Sequence, residues 1–280
     1  MNQTEKFQRL RALHTSSEAF VLPNAWDAGS ALLLASLGFE ALATTSAGYA
    51  FSVGKRDSST GLSRDEILEN ASQIVAVTDL PVSGDLEDGF GASPEACAKT
   101  IEMASQIGLV GGTIEDATGN TDAPIFEMSH AVERIEAAVE AARDRNFLLT
   151  ARAENFICGR TDLADTIRRL QAFEAAGADV LYAPGLPDLE AIRTVCRAVS
   201  KPVNVVMGLS SLTCSVADLS EAGVARISVG GSFARAAIGA MVRAAREVRQ
   251  HGTFTYAGDA IPDAAIRQIM LPTKDTQRED

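Results

Sequence analysis

The sequence predicts an α/β fold, a modified (β/α)8 barrel of the TIM type, and two observations favour it. Eight short apolar runs recur about every 26 residues between residues 20 and 230, which is the period of a strand–helix repeat. Amphipathic stretches with helical spacing fill the intervals between them. The rival is a doubly wound open sheet, which is disfavoured because no GxGxxG pattern follows the first apolar run.

The predicted strands are short apolar runs bounded by turn residues. Parallel strands joined by helices are buried on both faces, so their sequences are apolar rather than strictly alternating. The eight runs begin near Phe20, Glu40, Pro81, Leu109, Phe147, Asp179, Pro202 and Ala225.

The helices between the strands carry start and stop signals. Ser63 and Glu66 have the spacing of a capping box, and Ser93 followed by Pro94 predicts another helix start. Apolar residues from Met128 to Ala142 recur at helical spacing. Glycines that would end a helix shortly before a strand occur at Gly38, Gly108, Gly177 and Gly223.

No domain boundary is visible in the sequence. We therefore predict one barrel domain over residues 1–280, with a C-terminal helical extension from about residue 252. This extension, which contains Pro262 and Pro272, is expected to pack on the barrel or on a neighbouring subunit.

Charge and composition exclude several classes of protein. The 280 residues include 37 acidic and 25 basic side chains, a net charge of −12, which argues against nucleic acid or a membrane as partner. No apolar run approaches the roughly 20 residues of a membrane span, and the N-terminus has no signal-peptide core. The four cysteines show no CxxC or metal-finger spacing, so we expect a reduced, cytoplasmic protein.

Charged residues follow three neighbouring predicted strands, where barrel enzymes place their active sites. Asp85 and Glu87 end the third strand, Glu115 the fourth, and Arg152 and Glu154 the fifth. Grouped carboxylates repel one another unless a cation lies among them, so a hard divalent cation such as Mg²⁺ is favoured over solvated loop acids. Arg152 is either a clamp for a substrate carboxylate or the ion-pair partner of Glu115 or Glu154.

Histidine and lysine chemistry is disfavoured at this position. His14, His130 and His251 lie before the first strand, within a helix and after the eighth helix, away from the strand ends. No lysine directly follows the core strands, which argues against a Schiff base, with Lys55 and Lys201 the nearest exceptions.

Six short motifs occur in a characteristic order along the chain. They are Asn24-Ala25-Trp26-Asp27, Thr44-Thr45-Ser46, Asp57, Asp85-Leu86-Glu87-Asp88-Gly89-Phe90-Gly91, Ile114-Glu115-Asp116 and Ala151-Arg152-Ala153-Glu154. With them, residues 18–250 resemble the isocitrate lyase / phosphoenolpyruvate mutase superfamily. The resemblance implies a modified (β/α)8 barrel that binds Mg²⁺ and a 2-oxo acid or its enolate. It also implies a homodimer or homotetramer that exchanges the eighth helix between subunits.

The resemblance implies metal-binding roles for four carboxylates. Asp85 matches the direct ligand of Mg²⁺, for which Mn²⁺ is an alternative. Asp57, Glu87 and Glu115 match carboxylates that hold the metal through water molecules. The family has an aspartate where this chain has Glu87, and a contact through water tolerates the longer side chain.

The resemblance also implies a substrate site. Arg152 matches the arginine that grips the substrate carboxylate, and with Glu115 it is a predicted catalytic residue. The other predicted substrate-binding residues are Trp26, Ser46, Ala47, Gly48, Glu154 and Asn204. For Asn204, on the seventh strand, an internal hydrogen bond is the alternative.

One loop departs from the family. Members that cleave isocitrate or methylisocitrate carry a Lys-Arg/Lys-Cys-Gly-His loop after the fourth strand, whose cysteine is the acid–base group. Residues 116–124 contain neither lysine nor cysteine, so an authentic isocitrate or methylisocitrate lyase is not expected. Asn120 or Asp122 is predicted to act from this loop, which we expect to serve as a lid.

These observations predict a Mg²⁺-dependent lyase or decarboxylase that breaks a C–C bond in a small 2-oxo or 2-hydroxy carboxylic acid through an enolate-like intermediate. Loss of CO₂ needs no protonation of the leaving group, which suits a loop that lacks the usual acid. Two alternatives stay open: a phosphonate-processing enzyme, such as a phosphonomutase or phosphonopyruvate hydrolase, and a non-catalytic oxo-acid binder.

Overall fold

The computed structural model describes residues 1–58, 61–209 and 212–270, and in them nine strands form one sheet. The strands are β1 (Phe20–Leu22), β2 (Asn24–Ala25), β3 (Leu42–Thr44), β4 (Val82–Asp85), β5 (Gly111–Glu115), β6 (Leu148–Arg152), β7 (Val180–Tyr182), β8 (Val203–Val206) and β9 (Arg226–Ser228). Their order is β1-β9-β8-β7-β6-β5-β4-β3-β2, and every adjacent pair is parallel. The sheet curls into a nearly closed barrel, which confirms the predicted fold class.

The ninth strand arises because the first predicted strand divides at Pro23. Proline has no N–H to donate, and at this residue the pairing changes from β9 to β3. Asn24 closes the seam, because its Oδ1 accepts from the N–H groups of Val229 and Gly230 and its Nδ2 donates to the carbonyl of Thr44.

Helices surround the barrel on its outer face. They are α1 (Gln3–His14), α2 (Ala28–Ser36), α3 (Ser46–Ser52), α4 (Arg64–Ala76), α5 (Pro94–Gln106), α6 (Met128–Ala142), α7 (Leu163–Ala175), α8 (Leu189–Ala198), α9 (Val216–Glu221), α10 (Ser232–His251) and α11 (Asp263–Ile269), with a 3₁₀ helix at Thr255–Asp259. The helix starts predicted at Ser63 and Ser93 are confirmed, as is the helix predicted from the apolar spacing of residues 128–142. Ser63 and Glu66 form both halves of the capping box.

The apolar core lies between the barrel and its helices, whereas the barrel interior is largely polar. Ile74, Ile101, Leu149 and Phe173 are fully buried in the outer layer. Burying such a side chain contributes roughly 1.5–3 kcal/mol. The N-terminal end of the barrel is closed by α1, whose Leu10 joins a separate small cluster with β1 and β6 residues.

The C-terminal part of the chain is the most exposed. Ala234 is the one buried residue of the 20-residue helix α10, and Phe233, Ile238 and Met241 are exposed on it. The helix ends at Gly252, which adopts a left-handed conformation. Three expectations stay predictions: the exchange of α10, the predicted eighth helix, between subunits, the oligomeric state and the single-domain organisation. In the described residues, no helix has the length and apolar character that crossing a membrane requires.

Candidate active site

The carboxyl ends of the strands surround a cavity of about 380 Å³. Asp85 ends β4, Glu115 ends β5 and Arg152 ends β6. The parallel register pairs Glu115 with Arg152, and Arg152 with Tyr182 on β7, so these side chains meet at one mouth.

Arg152 is the hub of the charged cluster. Its Nη1 lies 3.1 Å from Asp85 Oδ1 and 3.0 Å from Glu115 Oε2, and its Nε lies 2.9 Å from Glu154 Oε1. Its guanidinium carbon lies 5.0 Å from the ring centroid of Tyr182. Arg152 therefore pairs with both predicted carboxylates and also lines the cavity, and its role as a clamp for a substrate carboxylate stays a prediction.

The orientation of Asp85 is set by its neighbours on β3 and α3. Its Oδ2 accepts from the N–H of Ser46 at 3.0 Å and from Ser46 Oγ at 2.9 Å. Its own N–H donates to Thr44 Oγ1 at 2.8 Å. These contacts hold the carboxylate at the mouth, with Oδ1 turned towards Arg152.

The crowded carboxylates are electrostatically unfavourable as anions. Burial first, and then Asp85, Asp57 and Asp88, raise the pKa of Glu87 to about 8. Asp57 is exposed at the rim, and partial desolvation followed by Asp85 raises its pKa as well. Burial also raises the pKa of Glu115 well above its ordinary value, although Arg152 opposes the shift. A cation among these groups would relieve their repulsion.

This arrangement fits a Mg²⁺ ion that keeps part of its water shell. Among the described residues, no three His, Cys, Asp or Glu side chains converge closely enough to ligate one ion directly. Mg²⁺ commonly binds one or two carboxylates and retains several waters. Asp57, Asp85, Glu87 and Glu115 all line the cavity, which is the placement that water-mediated contacts need.

The structure separates the predicted substrate-binding residues of the first two strand–helix turns. Ser46 and Ala47 line the cavity, and among the described residues none accepts a hydrogen bond from the N–H of Ala47. Gly48 and Trp26 lie outside the described cavity lining, and the N–H of Gly48 donates to Thr45 Oγ1 to cap α3. A direct role of Trp26 or Gly48 in substrate binding therefore stays a prediction.

Asn204 makes the internal hydrogen bonds that the second sequence interpretation expects. It is buried and also lines the cavity, and its role in substrate binding stays a prediction. Its Nδ2 donates to Ser228 Oγ at 3.0 Å, and its Oδ1 accepts from Arg226 Nε at 2.8 Å.

The segment between β5 and α6, here called the β5 loop (residues 116–127), reaches the cavity through Ala117 and Gly119. Asn120 and Asp122 are exposed and lie outside the described cavity lining. The Asn120 side chain accepts from the N–H of Asp122, so both residues take part in the loop's internal bonding. Their predicted catalytic role requires the loop to close and stays a prediction.

A buried ion pair holds the base of the β5 loop. Arg169 Nη1 lies 3.1 Å from Asp116 Oδ2 and donates to the carbonyl of Phe126 at 2.8 Å, so one guanidinium contacts both ends of the loop. Asp116 Oδ1 accepts from the N–H of Glu154 at 2.8 Å. Burial raises the pKa of Asp116 to about 6, while this N–H and Arg169 lower it.

The histidines lie where the sequence predicts, away from the mouth. His14 is buried at the closed end of the barrel, and His130 and His251 lie on α6 and α10. None of the three is part of the described cavity lining.

Two arginines near the site were missed by sequence reasoning. Arg169 lies on α7 and Arg226 on β9, and both are buried. Strand period two would have placed Arg226 beside Ser228 on the interior face of β9. Arg169 carries no comparable local signal, because its partner Asp116 is 53 residues away in sequence.

Comparison with known proteins identifies the family of this chain. The sequence profile of the phosphoenolpyruvate phosphomutase family matches residues 10–249. The chain is 30% identical to a 2-methylisocitrate lyase from Escherichia coli K12 over 87% of this chain and 84% of the relative. It is 29% identical to an oxaloacetate decarboxylase from Pseudomonas fluorescens over 89% and 86%.

Among solved structures, a Burkholderia cenocepacia J2315 protein provisionally named a lyase/mutase is 54% identical. Its TM-score is 0.92, and the match covers 95% of each chain. The predictions of the superfamily and of an enzyme are confirmed. The chain belongs to the phosphoenolpyruvate phosphomutase family, in the isocitrate lyase / phosphoenolpyruvate mutase superfamily of lyases and mutases that act on small carboxylic acids.

Proposed function

We propose that the protein is a Mg²⁺-dependent lyase or decarboxylase that cleaves a C–C bond in a small 2-oxo or 2-hydroxy acid through an enolate-like intermediate. The observation that carries the proposal is the cluster of carboxylates around Asp85. The pKa values of Asp57, Glu87 and Glu115 in this cluster are raised, which favours a bound cation. The relatives named oxaloacetate decarboxylase and 2-methylisocitrate lyase support C–C cleavage.

The residues at the mouth suggest how the site would hold its ligands. Asp85 would bind Mg²⁺ directly, and the carboxylates of Asp57, Glu87 and Glu115 would hold its water molecules. When bound, Mg²⁺ supplies positive charge that lowers the energy of an enolate. Arg152 would then turn N–H donors that now contact Asp85 and Glu115 towards the substrate carboxylate.

The backbone at the start of α3 supplies a further donor. The N–H of Ala47 adjoins the cavity and would stabilise negative charge on a substrate oxygen. Ser46 is engaged with Asp85 and would therefore act by orienting that carboxylate.

The composition of the β5 loop supports cleavage without a strong loop acid. Residues 116–124 contain no lysine or cysteine, and Asn120 and Asp122 are the predicted groups that act from the loop. Because CO₂ leaves without receiving a proton, decarboxylation is compatible with this loop. Retro-aldol cleavage is the second mode that we propose.

The test is a screen of 2-oxo and 2-hydroxy acids with Mg²⁺, in which pyruvate, CO₂ and phosphate are measured together. We expect metal-dependent turnover, and Asp85→Ala should lower it by at least about 1000-fold. Glu136→Ala, an exposed carboxylate of α6, is the matched control and should retain full turnover. Full activity of Asp85→Ala on every acid that the parent converts would contradict the proposal.

Phosphonate chemistry is the second candidate, because the matching profile is that of phosphoenolpyruvate phosphomutase. Phosphate release from phosphonopyruvate, without turnover of any 2-oxo or 2-hydroxy acid, would favour it. Tight Mg²⁺-dependent binding of oxaloacetate without any turnover would instead identify an oxo-acid binder.

We also propose that the chain forms a homodimer or homotetramer. The exposed apolar residues Phe233, Ile238 and Met241 of α10 support this assembly, because burying them would remove apolar area from water. Sedimentation of the protein, with Met241→Glu as the disrupting variant, tests it: a monomeric parent would contradict the proposal.

A further inference from the structure

Arg226 is a buried cation at the closed end of the active-site cavity. It begins β9, it is 2% exposed, and it lines the cavity together with Leu22 of the adjacent strand β1 and Ala43 of β3. It lies on the inner face of the barrel, below the mouth where Arg152 and Asp85 meet.

All hydrogen-bond partners of Arg226 among the described residues are neutral. Its Nε donates to Asn204 Oδ1 at 2.8 Å, its Nη2 to Thr150 Oγ1 at 3.0 Å, and its Nη1 faces His14 Nε2 at 3.4 Å. His14 Nδ1 lies 2.8 Å from the carbonyl of Leu10, which assigns the proton to Nδ1 and leaves Nε2 as the acceptor. Burial, followed by Arg226, lowers the pKa of His14 to about 3, so the ring is neutral at pH 7.

Among the described residues, Arg226 lines the cavity without a carboxylate partner. Arg134 is also buried without one, but two backbone carbonyls hold its guanidinium and it lies outside the described cavity lining. Arg152 has three carboxylate partners, and Arg169 has Asp116 and Asp165. Burial lowers the pKa of Arg226 to about 10, which still leaves it charged at neutral pH. A buried charge without a partner is destabilising, so its presence beside a cavity indicates that an anion completes it.

We propose that Arg226 forms an anion subsite at the closed end of the cavity, which takes the second carboxylate of a substrate whose first carboxylate lies at Arg152, beside the Mg²⁺ that Asp85 would bind. This inference rests on the proposed function. Arg226 has five N–H groups and three described hydrogen-bond partners, so two N–H groups are left to donate to an anion.

Hydroxyl groups connect the two ends of the cavity. Thr150, the partner of Arg226, pairs in register with Thr113 on β5. Thr113 Oγ1 lies 3.4 Å from Asp85 Oδ1. A small diacid would thus lie along a polar wall, with a cationic group at each end.

The subsite also has a consequence for the reaction. In a decarboxylation the C–C bonding pair stays on the enolate and the carboxylate leaves as neutral CO₂. A guanidinium paired with that carboxylate would stabilise it before the bond breaks and would oppose this step. Decarboxylation of a 2-oxo diacid through an enolate would expel this second carboxylate. A carboxylate held at Arg226 therefore fits retro-aldol cleavage, the second proposed mode, in which the C–C bonding pair passes to the enolate and both carboxylates remain in the products.

Lactate and malate provide a matched test, because they share a 2-hydroxy acid end and differ by one carboxylate. Binding of lactate, of each malate enantiomer and of oxalate would be measured by calorimetry with Mg²⁺. We expect one malate enantiomer to bind at least tenfold more tightly than lactate. Arg226→Met should abolish this preference and should change the binding of lactate and oxalate by no more than about twofold.

Asn204→Asp keeps the guanidinium but places a carboxylate beside it, and it should also abolish the preference for malate. Arg193→Met, which removes a half-buried arginine paired with Glu190 on α8, is the control and should behave as the parent. Removal of an unpaired buried charge should leave the melting temperature of Arg226→Met unchanged or raised.

The outcomes separate the subsite from the proposed function. Equal binding of lactate and malate by the parent, or a malate preference that survives in Arg226→Met, would overturn the subsite. If Arg226→Met does not fold, survival of the preference in Asn204→Asp overturns it. If the parent protein itself shows no Mg²⁺-dependent binding of oxalate, the metal site of the proposed function is contradicted instead.

Discussion

Two neighbouring loops at the mouth of the barrel are built in opposite ways. The segment between β4 and α5, here called the β4 loop (residues 86–93), carries Glu87 at the edge of the carboxylate cluster. The β5 loop follows the next strand and forms part of the same cavity. The β4 loop is bound from several helices, whereas the tip of the β5 loop bonds chiefly to itself.

Arginines from two helices hold the β4 loop. Arg134, which is 1% exposed, donates from Nη1 to the carbonyl of Gly91 at 2.6 Å and from Nη2 to that of Asp88. Arg64 and Thr100 both donate to the carbonyl of Gly89. These bonds hold a backbone in which Glu87 and Phe90 have positive φ, a conformation that costs a non-glycine residue about 1 kcal/mol or more.

The tip of the β5 loop has few partners outside itself. Thr118 bonds to the backbone of Pro124 and Ala123, and residues 119–123 are exposed. Cys158, whose Sγ lies 3.6 Å from the carbonyl of Pro124, is a weak outside contact. The hydrogen bonds from the Arg169 guanidinium hold only the base of the loop, at Asp116 and Phe126.

The difference shows how the site divides its tasks. Carboxylates that hold a metal need a fixed backbone, since a misplaced ligand weakens every contact that depends on it. A loop that covers a substrate needs a firm base and a tip that can move. The loop in which this chain departs from the lyase pattern is the one with the free tip.

The largest expected effect is on the base of the β5 loop. Arg169→Met leaves Asp116 buried without its ion-pair partner, and we expect the free energy of unfolding to fall by roughly 3–5 kcal/mol. Arg168→Met removes an exposed partner of the same Asp165 and should change stability by less than about 0.5 kcal/mol. Urea unfolding measures both variants, and equal effects would contradict the assignment of Arg169 to the loop base.

The second effect is a pH dependence of the metal-free β4 loop. The pKa of Glu87, about 8 in the folded protein, lies above its ordinary value of 4.5, so the fold favours the neutral acid. Its stabilising contribution is present below about pH 4.5 and is lost as the pH rises towards 8. With chelator present, the melting temperature should therefore fall over this pH range. The free energy of unfolding should decrease by roughly 2 kcal/mol after allowance for solvent screening.

Glu87→Gln is the control for this pH dependence. It removes the titrating group, so the decline between pH 4.5 and 8 should flatten. Mg²⁺ should restore stability at pH 8 in the parent more than in Glu87→Gln. A decline of the same size in both proteins would assign the titration elsewhere.

A third effect distinguishes packing from backbone strain in the two loops. Gly89 and Gly119 both have positive φ, so alanine at either position should cost about 1 kcal/mol. A Cβ at Gly89 would also lie 2.9 Å from Cys97 Sγ, which should add about 1–3 kcal/mol. Thermal unfolding of Gly89→Ala and Gly119→Ala measures this difference, and a larger loss for Gly119→Ala would reverse the comparison.

The smallest effect on stability is expected at the tip of the β5 loop. Asn120→Ala and Asp122→Ala replace exposed side chains and should change the free energy of unfolding by less than about 0.5 kcal/mol. We expect at least one of them to lower kcat about tenfold or more, with little change in Mg²⁺ affinity. Unchanged kcat in both variants would remove the predicted catalytic role of this loop.

Local patterns were sufficient to predict most of the fold. Ser63, Ser93 and the apolar spacing of α6 act within one or two helical turns, so their signals are readable along the chain. The division of the first strand at Pro23 was missed. The proline is visible in the sequence, but the change of partner strand depends on barrel closure.

The candidate site was predicted in part. The carboxylates and Arg152 were found because they directly follow strands whose ends must meet in a barrel. Arg226 and Arg134 were not singled out, because their roles depend on partners distant in sequence, such as Thr150 and Gly91. Sequence patterning reports which residues face the core, but it does not report which of them touch.

The sequence by itself determined the strand–helix alternation, the acidic cluster at the strand ends and the loss of lysine and cysteine from residues 116–124. These features depend on residue type and short spacing. The tertiary structure decided that Arg152 joins three carboxylates and that Glu87 is crowded enough to raise its pKa. It also gave Arg226 only neutral hydrogen-bond partners within the described part of the chain. Coulomb energies depend on distance and burial, and only the folded chain sets both.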